Sequence, residues 1–314
     1  MTKKIEDKLA KVPILNWLVQ LGKKIKIPGL QGMSLYDLLE MYIIGIVKGA
    51  LTARAGAIAF SFFMALFPFL LFVLTLIPIF AAQIEGFQEG FMFALEQLLP
   101  PTTSDAVDEV IKDIAVDITN NQYSGLLSFG FLTSIFLMTN GVNAIFGGFE
   151  YSYHVKISRN IIKQYFIALG VSIILSLLFL LTVAIVIYFE IGIQDLQVNG
   201  LVGDTVLLIK IGRALFFTIM IYMAVSILYN YGIKNIQHNS IFSAGAILTT
   251  LLTLLLFYLF AIYVEQFEQY NKLYGSIGTL LILMLFIWLN SVVLLLGFEL
   301  NASINRLKSK QLKI

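Results

Sequence analysis

Residues 273–298 read LYGSIGTLLILMLFIWLNSVVLLLGF, a run without a single charge held between Lys272 and Glu299. A bilayer core of about 30 Å takes about 20 apolar residues per helical crossing, so this stretch predicts a transmembrane helix. Five further uncharged runs of the same kind lie upstream, at 55–84, 118–149, 164–189, 214–233 and 239–264. Across all 314 residues, 59% are hydrophobic and 13% charged, where soluble domains have about 45–50% and about 25%. That balance excludes a water-soluble globule and predicts an all-α integral membrane protein of six spans.

The predicted organisation is a basic cytoplasmic arm at 1–33, a six-span membrane domain at 34–305 and a basic tail at 306–314. The spans are expected near 57–80, 125–147, 165–189, 210–231, 239–264 and 274–298. Too little chain lies outside them for a separate catalytic domain. The absence of cysteine removes thiolate catalysis, Cys-ligated zinc, iron–sulfur clusters and disulfides. No cleaved export signal is visible, because the early apolar stretch carries Pro13 and Asn16 and lacks a small-residue cleavage pattern. The first span is expected to serve as the insertion signal.

Charge sets the expected orientation. With the N-terminus in the cytoplasm, the cytoplasmic segments carry 9, 3, 1 and 4 Lys and Arg, 17 of the 21, against 6 acidic residues. The opposite side holds Lys112, Lys210, Arg213 and Lys272 with 13 acidic residues. Since the Lys and Arg bias sets topology, both termini are expected inside. The basic arm reads as an anchor of this rule, and attraction to anionic lipid, about 1 kcal/mol per basic residue, is the sharper alternative.

From Ser34, a good N-cap, Leu35, Leu38, Leu39, Tyr42, Ile43 and Ile46 follow helical spacing, an amphipathic cytoplasmic helix leading into the first span. Gly45, Gly49, Ala53, Ala57, Ser61 and Ala65 recur every four residues, which predicts a closely packed ridge. Pro68 and Pro78 predict a bend in the first span. Residues 85–117 carry eight acidic side chains and one Lys. They read as an extracytoplasmic helical hairpin, a solvated acidic face by default and a docking site for a cationic partner in the sharper reading. The second span, with Thr133, Ser134, Thr139, Asn140 and Asn143, is expected in the bundle interior, since polar groups in hydrocarbon need partners.

Charges at membrane depth are the best pointers to function. Lys210 and Arg213, three residues apart on one helix face, are candidates for an anionic substrate or lipid headgroup, with Glu190 as counter-ion; snorkelling to the headgroups is the plain alternative. Asn140 and Asn143 are candidates for a polar path, or for ordinary interhelical hydrogen bonds. Arg54, Glu150 and Glu299, at similar depth, are candidates for an inner gate or a static tether. His154 and His238 form no metal-ligand spacing, and no Walker loop or nucleophile elbow occurs. No catalytic residue, metal or cofactor is expected.

Three stretches together resemble the YihY/BrkB family of bacterial inner-membrane proteins. Arg54-Ala-Gly-Ala-Ile-Ala-Phe through Leu66-Phe67-Pro68 is similar to that family's first-span motif, and Asn140 to Val155 to its motif after the second span. Tyr274-Gly275-Ser276-Ile277-Gly278, Trp288 and Leu296-Gly297-Phe298-Glu299-Leu300-Asn301 resemble its Tyr-Gly-Ser-Leu-Gly, Trp and Gly-Ala-Glu-Leu-Asn pattern. Departures are Gly56, Phe298 and the run at 231–234. The resemblance implies a part in envelope integrity and lipid transport. It also brings an old ribonuclease label, which the sequence does not support: nuclease chemistry wants clustered carboxylates with metal ions, and the acidic cluster here faces away from cellular RNA. The function expected is therefore passage or handling of a lipid-like or amphipathic anionic substrate, without an ATPase, with membrane lipids as partners and no nucleic acid. A scaffold for envelope machinery is the alternative. An enzyme would need two carboxylates, or a carboxylate and a histidine, converging in a polar pocket, with Glu150, Glu299 and His154 the residues to watch, and would have nothing to work with if these three lie far apart.

Overall fold

The computed structural model describes residues 34–81, 124–152, 154–155, 159–198, 204–232, 242–266 and 276–311, with Gln20, Lys23, Lys24 and Lys26. The acidic segment 85–117 and most of the basic arm lie outside the described residues, as do the side chains of Lys210, Glu190 and Pro78. Seven helices are described: α1 Leu35–Lys48, α2 Leu51–Ala81, α3 Ser124–Glu150, α4 Ile161–Val198, α5 Asp204–Gly232, α6 Ala244–Gln266 and α7 Ser276–Gln311. The last six are each long and apolar enough to cross a bilayer, and the described residues contain no strand beyond an isolated Lys26–Ser34 bridge. The fold is an all-α membrane bundle.

Local chemistry explains the helix starts. Ser34 and Asp37 form a capping box at α1: the Ser34 hydroxyl accepts from the Asp37 N–H at 3.2 Å and the Asp37 carboxylate accepts from the Ser34 N–H at 2.9 Å, satisfying two orphan donors reciprocally. Asn160 caps α4 through Ile162 N–H, and Ser243 caps α6 through Ala246 N–H. At the far end, α7 runs on to Gln311. Leu300, Ile304 and Leu307 there pack on Leu38 and Met41 of α1, and the stretch holds no glycine or proline to stop it.

The six long helices close a ring in chain order, α2 to α7, with α7 packed back on α2; α3 also reaches α5 and α7, and α1 lies along α7. Half of the α3 span is buried, against 17–28% of the others. Its hydroxyls find partners within the protein, as Thr139 does in Ile135 O at 2.7 Å. The core is aromatic and aliphatic: Phe146, Phe149, Phe298 and Leu295 are fully buried, and the Phe149 and Phe298 rings stack at 4.2 Å and 8°.

The expected small-residue ridge is not continuous. Gly49 and Ala50 form a turn between α1 and α2, and Ala50 takes φ +47°, a left-handed conformation that costs a non-glycine residue roughly 1–2 kcal/mol. The turn separates Gly45 and Gly49 from the rest, and on α2, where each four-residue step drifts about 40° around the helix, Ala53 and Ala57 are exposed while Gly45, Gly49 and Ala65 are buried. α2 itself runs through Pro68 and Pro78 as one helix.

Candidate functional site

Two sites emerge, one at each end of the bundle. At the Arg54 end, Arg54 on the first turn of α2 reaches Glu299 on α7, Nη1 to Oε1 at 2.6 Å. Its Nε donates to Gly148 O at 2.7 Å and its Nη1 also to Gly49 O at 3.2 Å, while Nη2 is buried without a partner. The other Glu299 oxygen accepts from Ser152 Oγ at 2.9 Å. A buried pair survives its desolvation cost only when further hydrogen bonds satisfy the remaining atoms, and here Gly49, Gly148 and Ser152 supply them for every atom but Nη2.

His154 completes this compartment. One ring nitrogen, Nε2, lies 3.0 Å from Met41 O of α1, and Nδ1 lies 3.1 Å from Arg306 Nη1 of α7. Since a carbonyl and a guanidinium fix opposite roles, Nε2 carries the proton and Nδ1 accepts. Gly45 leaves room for this meeting: a Cβ there would stand 2.7 Å from His154 Nε2 and 2.8 Å from Glu299 Oε2. Tyr42 faces the same carboxylate, and burial first, then the Glu299 charge, raises its phenol above its ordinary value.

A carboxylate, a histidine and a serine thus converge, which is the condition set above for an enzyme. Their hydrogen bonds do not form a nucleophile-and-base relay. Ser152 Oγ donates to Glu299 and accepts from the His154 backbone N–H at 3.2 Å, whereas a nucleophile needs the imidazole as its base. All three side chains are buried.

Glu150 belongs to a separate cluster. The Gln164 amide nitrogen donates to its two oxygens at 2.9 and 3.1 Å, with the other end of that amide 3.2 Å from the Asn143 side chain. Arg159 N–H donates to Glu150 at 2.9 Å, and the Arg159 guanidinium donates to Tyr231 O. The structure therefore brings Arg54 and Glu299 together and places Glu150 elsewhere. Asn140 is exposed on α3 and Asn143 is half-buried, and neither lines the cavity described next.

Between α2, α3, α4 and α5 runs a slot of about 710 Å³, within the range of about 300–1,000 Å³ usual for small-ligand sites. Phe62, Phe69, Phe179, Phe217 and Met220 dominate its walls, and Arg213 lines it. Along α5 it extends from Arg213 to Leu228, about 22 Å at a rise of 1.5 Å per residue. The hydroxyls of Ser172, Ser176 and Thr182 also face it, each donating to a carbonyl of its own helix at 2.7–2.8 Å. Val142 and Leu228, at one end of the lining, also belong to the buried cluster that holds the packed rings of Phe146, Phe149, Phe298 and Tyr229.

Every residue of the 297–301 motif has a role here. Gly297 lets α7 approach Gly245 and Thr249 of α6, Phe298 stacks on Phe149, and Glu299 holds Arg54. Asn301 accepts from Gly245 N–H at 2.7 Å and donates to Ser243 Oγ at 3.0 Å, reinforcing the α6 cap. Leu300 packs toward α1. Sequence reasoning paired His154 with Glu299 only as a condition for an enzyme, and missed Ser152 as the partner of Glu299 and Arg306 as the partner of His154; the meeting of helix ends far apart in the chain left no spacing signal.

A family model described as virulence factor BrkB matches residues 45–313. Among curated proteins, the putative ribonuclease-like protein YfkH of Bacillus subtilis (strain 168) is 26% identical over 261 residues, 82% of this chain and 90% of that protein. No solved structure matches.

Proposed function

The chain belongs to the virulence factor BrkB family of multi-pass membrane proteins, and from that premise we propose that it takes up and passes a lipid-like, anionic amphipathic molecule. The hydrocarbon part lies in the slot between α2 and α5, and the anionic head meets Arg213, with Lys210 one turn away in sequence as its companion. The observation that carries this reading is the slot itself: a long apolar cavity whose lining includes a guanidinium.

The physics favours a head-and-tail ligand. Moving an acyl chain from bilayer to apolar slot gains little, because lipid tails are as apolar as the walls; selectivity then falls to the head. A charge in such surroundings attracts an anion far more strongly than it would in water. The slot hydroxyls already spend their hydrogens on backbone carbonyls, so they offer an incoming polar group no donor. In this reading the aromatic rings at the Leu228 end close the path, and the Arg54–Glu299 pair behind them is the inner gate. The charge split of the sequence supports putting that end on the cytoplasmic side, with both termini inside and Arg213 on the outer side, and the membrane of this reading is a bacterial cytoplasmic one. No nuclease chemistry is carried over from the name of the Bacillus relative.

The test is uptake and scrambling of fluorescent anionic and zwitterionic lipids by the purified protein in liposomes. Arg213→Gln is expected to lower transfer or binding of the anionic probe at least several-fold while sparing the zwitterionic one. Ala224→Phe, which fills the slot, is expected to lower both. Wild-type behaviour in both variants would leave a scaffolding role in place of the substrate path.

A further inference from the structure

α1 presents three different sectors. At about 100° per residue, Leu38, Met41 and Gly45 fall on one side, and these pack on α7 and the Glu299 compartment. Asp37, Glu40 and Lys48 fall on another. Between them lies a stripe with four-residue spacing, Leu39, Ile43 and Val47, which is 45%, 56% and 74% exposed. A soluble amphipathic helix has two sectors, one buried and one wet. A third, apolar and uncovered, needs a different medium.

We propose that α1 is seated in the membrane–water interface at the Arg54 end, with Leu39, Ile43 and Val47 among the acyl chains. Continuity with the spanning surface identifies this occupant. The stripe ends at Val47, one tight turn along the chain from α2, a spanning helix whose Phe60, Met64 and Phe67 are likewise exposed. Helices of this kind bury their apolar side about 5–10 Å into the boundary between headgroups and acyl chains. A second copy of the chain would instead want a seam alternating three- and four-residue steps, and this stripe steps only by four. Because the same helix gives Met41 O to His154 and lays Gly45 against Glu299, its seat in the interface holds the lid of the buried pair from outside.

The absence of native cysteine makes the test direct. Ile43→Cys, Val47→Cys and Glu40→Cys are each labelled with an environment-sensitive fluorophore in the full-length protein, in phosphatidylethanolamine and phosphatidylglycerol liposomes containing shallow spin-labelled lipid. Probes at 43 and 47 are expected to be quenched by the lipid several-fold more than the probe at 40, to resist aqueous iodide, and to respond identically at all protein-to-lipid ratios. Equal iodide access at all three positions would overturn the proposal by placing the stripe in water. Shielding at 43 and 47 that grows with protein-to-lipid ratio would overturn it in favour of a second copy.

Discussion

Arg54 Nη1 and Glu299 Oε1 lie 2.6 Å apart although 245 residues separate them, and their side chains are 6% and 0% exposed. Removing one partner strands the other charge in an apolar core, a change that costs about 3–5 kcal/mol in buried pairs. Arg54→Ala and Glu299→Ala are therefore each expected to lower the thermal unfolding midpoint in detergent steeply. The double replacement Arg54→Met, Glu299→Leu removes both charges and is expected to recover much of the loss. A double variant no better than the worse single one would show that the pair is not what holds these helix ends.

Gly45 and Gly170 provide an internal control for close packing. A Cβ at Gly45 would press on the His154 ring and the Glu299 carboxylate, whereas one at Gly170 would meet nothing within 4 Å. In an open helical position Gly→Ala stabilises by about 0.4–1 kcal/mol, so Gly170→Ala is expected to raise the midpoint slightly. Gly45→Ala is expected to lower it and to loosen α1, read as faster amide exchange over 35–48. Equal and opposite behaviour at the two sites is the signature; the same sign at both would contradict the geometry.

The chain disclosed its spans because hydrocarbon leaves no ambiguity: an uncharged run bounded by Lys272 and Glu299 has few places to go. Arg54 and Glu299 were legible as singular charges at membrane depth, since such charges must find partners. Their companions were not. Ser152 and Arg306 are unexceptional in a loop and a basic tail, and even His154, set beside Glu299 only as a condition for an enzyme, gets its bonds to Met41 and Arg306 from the three-dimensional meeting of α1 and α7. The small-residue ridge misled for a related reason, because a helical register counts only while the helix continues, and Ala50 turns the chain out of it. The slot was illegible for another cause: Phe, Leu and Met lining a cavity look the same in sequence as Phe, Leu and Met facing lipid.

Tyr42 gives the compartment an alkaline limit. Burial, and then the Glu299 charge, raise its phenol above the ordinary value. A group whose folded value is raised contributes stability in full below its unfolded value, about 10, and loses it as pH climbs through the folded one. The wild type is expected to lose stability between pH 10 and the folded value more steeply than Tyr42→Phe does, with the two curves parallel from pH 7 to 9. Unfolding midpoints across pH 7–11 decide the matter, and parallel curves to the top of that range would count against it.

Phe149 sits in the buried aromatic cluster next to Val142 and Leu228, which line one end of the slot. It is fully buried, stacked on Phe298 and edge-on to Tyr229, with the Arg54 compartment behind it. Truncation to alanine should cost about 3–5 kcal/mol, so a functional effect of Phe149→Ala alone would be hard to separate from unfolding. Phe149→Leu keeps most of the volume but gives up the flat ring, and it is the cleaner probe. If the rings seal the slot, Phe149→Leu is expected to raise lipid or small-anion leak through liposomes while the unfolding midpoint falls by only a few degrees. Arg213→Gln placed on top of it should reduce the leak of anions and not that of neutral solutes. A leak unchanged from wild type in Phe149→Leu would mean that the seal lies elsewhere along the slot.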